Sequence, residues 1–179
     1  MELAPELRQL LDRQEIVDVL LRYASTIDAK DYVTLRSLFT EDIRGQYGED
    51  TIVNGADDLL QWIDDMTKTA TWQHHMLNVY HVDFVSETEA TTLTYHTSHQ
   101  TTSDAPDTCR KIVARYYDTV RKVDGRWLIA DKYMQIGWTQ EFTADPACTC
   151  RRSPTDRRPC APCRSSGRRS CGTCSARPR

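Results

Sequence analysis

Five histidines, His74, His75, His81, His96 and His99, all lie in stretches whose composition reads as strand. Imidazole is the side chain whose ordinary pKa lets it gain and lose a proton near neutrality, so any of them could act as a general base. A partner carboxylate makes such a base effective, because it fixes the tautomer and stabilises the imidazolium formed on proton abstraction. Asp28 is the candidate partner. It closes a helical stretch in RYASTIDAKDY, directly after the apolar Ile27, at a helix end where negative charge is unfavourable. Either it begins the turn toward Asp31, or it faces inward and holds a histidine. No acidic ligand accompanies the histidines at a metal-binding spacing, so no metal is implied. No Gly-rich phosphate loop or nucleotide fingerprint occurs, so no redox cofactor is implied either.

The elements that must position these groups follow from periodicity. Leu10, Leu11, Ile16, Val19, Leu20, Tyr23, Ala24 and Ile27 recur at three- and four-residue steps, the mark of a helix with one apolar face. Asp12 followed by Glu15 has the shape of a capping box and places the start of the principal helix near Arg13. A short second helix follows Asp31 as N-cap, with Leu35, Leu38 and Phe39 inward, and two short extended pieces, 43–47 and 51–53, flank the turn at Gly48. A third helix over 56–68 buries Leu59, Leu60, Ile63 and Met66 and exposes an acidic face. From Thr71 onward Val, Ile, Thr, Tyr and Trp dominate, giving four long strands at 72–85, 90–101, 109–122 and 126–138, joined by hairpins of which Asp124-Gly125 is the clearest. Helices followed by antiparallel strands predict an α+β domain with the sheet curled over the helices. Strands this long curl only with bulges, so the alternation of side chains cannot be extrapolated along them.

Charge divides the chain. Through Phe142, 14 Lys and Arg stand against 24 Asp and Glu, and from Thr143 onward 9 Arg stand against 2 Asp. The acidic domain repels a phosphate backbone, which argues against nucleic-acid binding. No apolar run approaches the roughly 20 residues that cross a bilayer, and the N-terminal stretch lacks the order of a secretory signal. Cys109 is the lone thiol of the domain, as suits a reducing compartment, and a cytoplasmic location is expected. The tail from 143 to 179, with six cysteines and few large apolar residues, cannot bury enough surface to order itself and is expected to be disordered. The rival reading for it is a zinc knuckle from Cys160, Cys163, Cys171 and Cys174.

Two segments carry a resemblance. Asp28-Ala29-Lys30-Asp31-Tyr32 followed by Leu35-Arg36, and Gln73-His74-His75 running on to Val85-Ser86-Glu87, resemble the SnoaL-like branch of the nuclear-transport-factor-2-like superfamily, over residues 10 to 142. Within it the chain is similar to scytalone dehydratase, hexachlorocyclohexane dehydrochlorinase and bile-acid 7α-dehydratase. The resemblance implies a cone-shaped α+β barrel with the N-terminal helices packed in a curved sheet. It assigns the catalytic carboxylate to Asp28 and the catalytic imidazole to His75, or to His74 if one bulge intervenes. It places Tyr47 on a tyrosine that positions water and a substrate carbonyl, Tyr23 on a pocket tyrosine, and His99 near a second pocket histidine. Ile27, Ala114 and Tyr116 depart from the dehydratase pattern, so scytalone itself is not the expected substrate. The expectation is a small-molecule lyase or isomerase acting on a cyclic, polyketide- or steroid-like, largely apolar molecule. Trp62, Trp72, Phe84, Tyr95, Tyr116 and Trp138 are the candidate pocket walls. The alternative is an inert ligand-binding or assembly module like the small subunits of ring-hydroxylating dioxygenases. Homodimerisation through the outer sheet face is implied by the resemblance.

Overall fold

Helix α1, Pro5–Ala29, turns Ile16, Leu20, Tyr23, Ala24 and Ile27 into the core at helical spacing. A computed structural model describes residues 4–144, and the tail from 145 on, including the two Cys pairs, lies outside the described residues. The start of α1 differs from the expectation. Pro5 occupies the first helical position, where its missing N–H costs nothing. Asp12 therefore caps nothing. It is buried, accepting from the Trp127 indole N–H at 3.0 Å and pairing with the Lys122 ammonium.

Asp31 caps the next helix, α2 (Tyr32–Arg36), by accepting from the Thr34 N–H at 3.1 Å. Helix α3, Ala56–Thr67, buries Ala56, Leu59 and Ile63. Met66, expected inside, is exposed, because in that last turn Thr67 takes the inner position and bonds the Tyr32 hydroxyl at 3.0 Å.

Six strands follow the order β2-β1-β6-β5-β4-β3: β1 Phe39–Tyr47, β2 Thr51–Asn54, β3 Ala70–Phe84, β4 Glu89–Thr102, β5 Thr108–Val123 and β6 Arg126–Thr143. The four long strands are antiparallel as expected, but β1 runs parallel to β6, so the sheet is mixed. It is curved and open, and the helices lie against its concave face. Register shifts supply the curvature, among them one at Val79/His81 and one at Thr119/Val120. On β3 the shift carries the inward set from Gln73, His75, Leu77 and Val79 over to Val82 and Phe84. Among the described residues, no helix is long and apolar enough to cross a membrane.

The Asp12 cluster fastens the first half of α1 to the β5–β6 hairpin. Burial raises the Asp12 carboxyl pKa, and the hydrogen bonds and charge of Lys122 and Trp127 outweigh it, so the net position is below the ordinary value. Asp12→Ala is expected to lower stability by about 2–3 kcal/mol, since it leaves a half-buried ammonium and an indole N–H unpaired. A carboxylate whose folded pKa is depressed contributes stability above its unfolded pKa, about 3.9. That contribution fades as pH falls through the lower folded value, so urea midpoints of the two proteins should differ at pH 7 and converge in strong acid.

Candidate active site

Strand β3 is an edge, so the backbone donors on its free side need partners from elsewhere. The C-terminal turn of α1 provides them. The Asp28 carboxylate accepts the His75 backbone N–H at 2.9 Å through one oxygen and the His75 Nδ1 at 2.5 Å through the other. Next to this pair, the buried Gln73 amide donates to the Ile27 carbonyl at 2.5 Å, satisfying an acceptor that the helix leaves open. Lys30, in the left-handed conformation at φ 53°, ends the helix, and its ammonium donates to the Ala70 carbonyl at 3.0 Å. Facing a carboxylate, Nδ1 is the protonated nitrogen of His75, which leaves Nε2 with a lone pair.

Burial pulls the Asp28 pKa up, but the ring and backbone hydrogen bonds from His75 outweigh it and hold the carboxyl below its ordinary value. It remains an anion at neutral pH. The His75 and Asp28 side chains keep 15% and 23% exposure, so small molecules can reach them.

Two further clusters adjoin this pair. His96, on the inner face of β4 and 2% exposed, stacks on the His75 ring at 5.2 Å and on Tyr116 at 4.8 Å. Burial, reinforced by the charges of His75 and Lys132, pushes its pKa down to about 3, so it is neutral. Beyond Tyr116, the Tyr23 and Tyr47 hydroxyls bond each other at 2.9 Å, and the Tyr47 ring lies 4.3 Å from Trp62. Burial raises the pKa of all three tyrosines, which keeps them as phenol donors. Beneath them Lys132 Nζ sits 4.2 Å over the Tyr23 ring and 4.0 Å over Tyr116, and donates to both Asp118 oxygens at 2.9 Å. Burial pushes Asp118 up and Lys132 down, each held back by the other's charge.

The structure thus brings Asp28, His75, Tyr23, Tyr47, Trp62 and Tyr116 to one side of the sheet. Other candidates fall elsewhere. His74 projects to the opposite face of β3, stacked on His99 at 6.2 Å and near Trp72 at 5.6 Å. Trp72 and Trp138 are 58% and 47% exposed, and Tyr95 packs outside against Tyr80 and the Arg115 guanidinium. These five side chains are corrected from pocket wall to outer face, since pleat parity puts them opposite the inward set. Phe84 does turn inward, but it packs on Trp127 at the far end of β3, nine residues or roughly 30 Å along the strand from His75.

His96, Gln73, Asp118 and Lys132 had no assigned role from sequence. Two surface concavities of about 430 and 450 Å³ lie on the outer face, the first lined by Gly48 and Tyr133, the second by Tyr95, Arg115 and Trp138. Neither includes Asp28 or His75. Among the described residues, no three His, Cys, Asp or Glu side chains converge as a metal site.

A curved mixed sheet wrapped on N-terminal helices, with a carboxylate and an imidazole joined at the end of the first helix, defines a class. The SnoaL-like domain model matches residues 8–132, and the chain belongs to that family. Solved structures of the same fold include a protein of Novosphingobium aromaticivorans named provisionally as a scytalone dehydratase. It is 23% identical, with 82% of this chain and 97% of that one aligned, and has a TM-score of 0.70. A type 2 hexachlorocyclohexane dehydrochlorinase is 16% identical over 79% and 99% of the two chains, with a TM-score of 0.72. A protein of unknown function from Mycobacterium tuberculosis is 21% identical over 74% and 76%, with a TM-score of 0.63. At these identities the likeness is one of fold. No curated protein matches the chain significantly.

The neutral, buried His96 has a consequence for stability. Its folded pKa of about 3 lies below the unfolded value near 6.5, so between them the unfolded chain binds the extra proton. Stability from this residue is therefore intact above about pH 6.5 and declines on acidification, at about 1.4 kcal/mol per pH unit. Urea midpoints measured from pH 7 to pH 4.5 should fall less steeply in His96→Leu than in the parent protein.

Proposed function

We propose that the protein is a small-molecule lyase or isomerase in which His75, oriented by Asp28, is the general base. The supporting observation is the double grip of one carboxylate on the backbone N–H and Nδ1 of the same residue, which holds the ring and leaves Nε2 as acceptor. Nε2 would remove a proton from a carbon next to a carbonyl or leaving group, and Asp28 would stabilise the imidazolium that results. In an elimination that imidazolium then returns the proton to the departing hydroxide as water; in an isomerisation it returns it to a different carbon. The Tyr23 and Tyr47 phenols would donate toward the oxygen that gains charge. Tyr23, Tyr47, Trp62 and Tyr116 make an aromatic surround that suits a small cyclic substrate. The dehydratase and dehydrochlorinase names borne by neighbours of the same fold point to the same reaction class.

The test is a panel of cyclic β-hydroxyketones and chlorinated cyclohexanes incubated with the full chain, scored for loss of water or HCl. Turnover of a substrate so found should fall about 10²–10⁴-fold in His75→Ala, the range expected for a positioned base. It should fall by at least about tenfold in Asp28→Asn, with circular dichroism unchanged in both. Parental rates in both variants would sink the catalytic reading and favour an inert binding or assembly module.

A second observation bears on assembly. Trp72, Tyr80, Ile136 and Trp138 stand exposed on the outer face of the sheet, more aromatic surface than an isolated domain ordinarily leaves in water. We propose that copies of the chain pair through this face. Sedimentation equilibrium should give about twice the chain mass, and the Tyr80→Glu, Trp138→Glu double variant should give the monomer with its fold intact.

A further inference from the structure

The inner face of β4 is polar where its neighbours are not. The pleat turns Thr92, Thr94, His96 and Ser98 inward, all buried, whereas the adjoining inward positions of β3 after His75 are Leu77, Val79 and Val82. On this row the Thr92 and Thr94 hydroxyls and both ring nitrogens of His96 are buried with no hydrogen-bond partner. Each unpaired buried polar group costs about 1–3 kcal/mol, and folded proteins keep few of them. Four on one strand face, beside the His75 ring, need an occupant.

The available partners on neighbouring elements are spoken for. Lys132 and Asp118 satisfy each other, Tyr23 and Tyr47 share a hydrogen bond, and Asp28 is saturated by His75. A neutral imidazole offers one donor and one acceptor nitrogen, and a threonine hydroxyl offers both functions. Such a set matches a hydroxyl or keto oxygen better than an ion. The His96 ring is stacked 5.2 Å from that of His75, so an oxygen bound there sits one ring-width from the base. Thr94, two residues earlier on the same face, lies about 7 Å farther along the strand.

We propose that His96, together with Thr94, recognises an oxygen substituent of the substrate. The substrate class is then an oxygenated ring, carrying one hydroxyl or keto oxygen beyond the reacting group. This deepens the base reading above and rests on it for the placement of the reacting carbon, while recognition itself is measurable without turnover. A site built to hydrogen-bond an oxygen rejects the ring that lacks it, because its own polar groups are then left unpaired.

The test compares 2-tetralone with its four aromatic-ring hydroxylated isomers, using the full chain, titration calorimetry and the ring 15N signals of the histidines. At least one hydroxylated isomer should bind the parent protein tenfold or more tightly than 2-tetralone and should shift the His96 ring signals, which 2-tetralone leaves in place. In His96→Leu the preference should shrink to less than threefold, and in Thr94→Val it should weaken. Should His96→Leu not fold, the 15N response of the parent protein and a retained partial preference in His96→Gln carry the same test. Absence of any preference, or of binding, in the parent protein overturns the proposal and leaves buried water as the occupant of the row. His75→Ala separates the two readings. It should abolish catalysed deuterium exchange at the tetralone α-carbon yet keep the hydroxyl preference. Exchange that survives in His75→Ala fails the base, whereas a lost preference with exchange intact in the parent fails the recognition row.

Discussion

The Asp28 carboxylate stands at the C-terminal end of α1, where the open carbonyls of the last turn already make the potential negative. That placement is unfavourable until the edge strand arrives. The β3 edge brings two N–H donors from one residue, the His75 backbone and ring, onto the two carboxylate oxygens. Charge-assisted bonds of this kind are roughly twice as strong as neutral ones. Gln73 and Lys30 close the same junction by bonding the Ile27 and Ala70 carbonyls. The helix end and the strand edge therefore satisfy each other, and a catalytic geometry arises from the same bonds that attach α1 to the sheet. Loss of the Asp28 charge would act on the tautomer of His75 and on the anchoring of β3 together.

The rest of the interior serves to keep this junction dry on one side and reachable on the other. Lys132 and Asp118, both fully buried, are tolerable only because each accepts the other's charge and because Tyr23 and Tyr116 present ring faces to the ammonium. The phenols and His96 stay neutral through burial, so the anion nearest the base is the one bonded to it. Electrostatically the site is a single carboxylate and imidazole set among neutral donors, which is the arrangement a proton abstraction needs at neutral pH.

Much of this was legible in the sequence. The helical period of Ile16, Leu20, Tyr23 and Ile27 placed the apolar face of α1 correctly, and the misfit of an aspartate after Ile27 singled out Asp28. The long strands and their hairpins follow from composition and turn residues, within a few positions. The start of α1 was not legible, because Asp12-x2-Glu15 has the form of a cap while Asp12 is bound to side chains more than a hundred residues away. The parallel β1–β6 contact was also hidden, since it links segments some 85 residues apart and leaves no local pattern.

Bulges account for most of what remained hidden at the site. Counting back from the Asp124-Gly125 turn in perfect register pairs Asp118 with Asp131, two like charges that would read as a surface repulsion. The shift at Thr119/Val120 moves the partner by one residue to Lys132 and turns that repulsion into the buried ion pair beneath the tyrosines. The same one-residue logic separates His74 from His75 and His96 from His99, for on a strand the neighbour of an inward side chain faces out. Parity within a bulge-free stretch is reliable: His75 lies opposite Ser98 and two positions from Leu77, the partner of His96, which places both rings on one face. What sequence could not supply was the phase of each stretch, and that phase is set where the strand edge meets the carboxylate of Asp28.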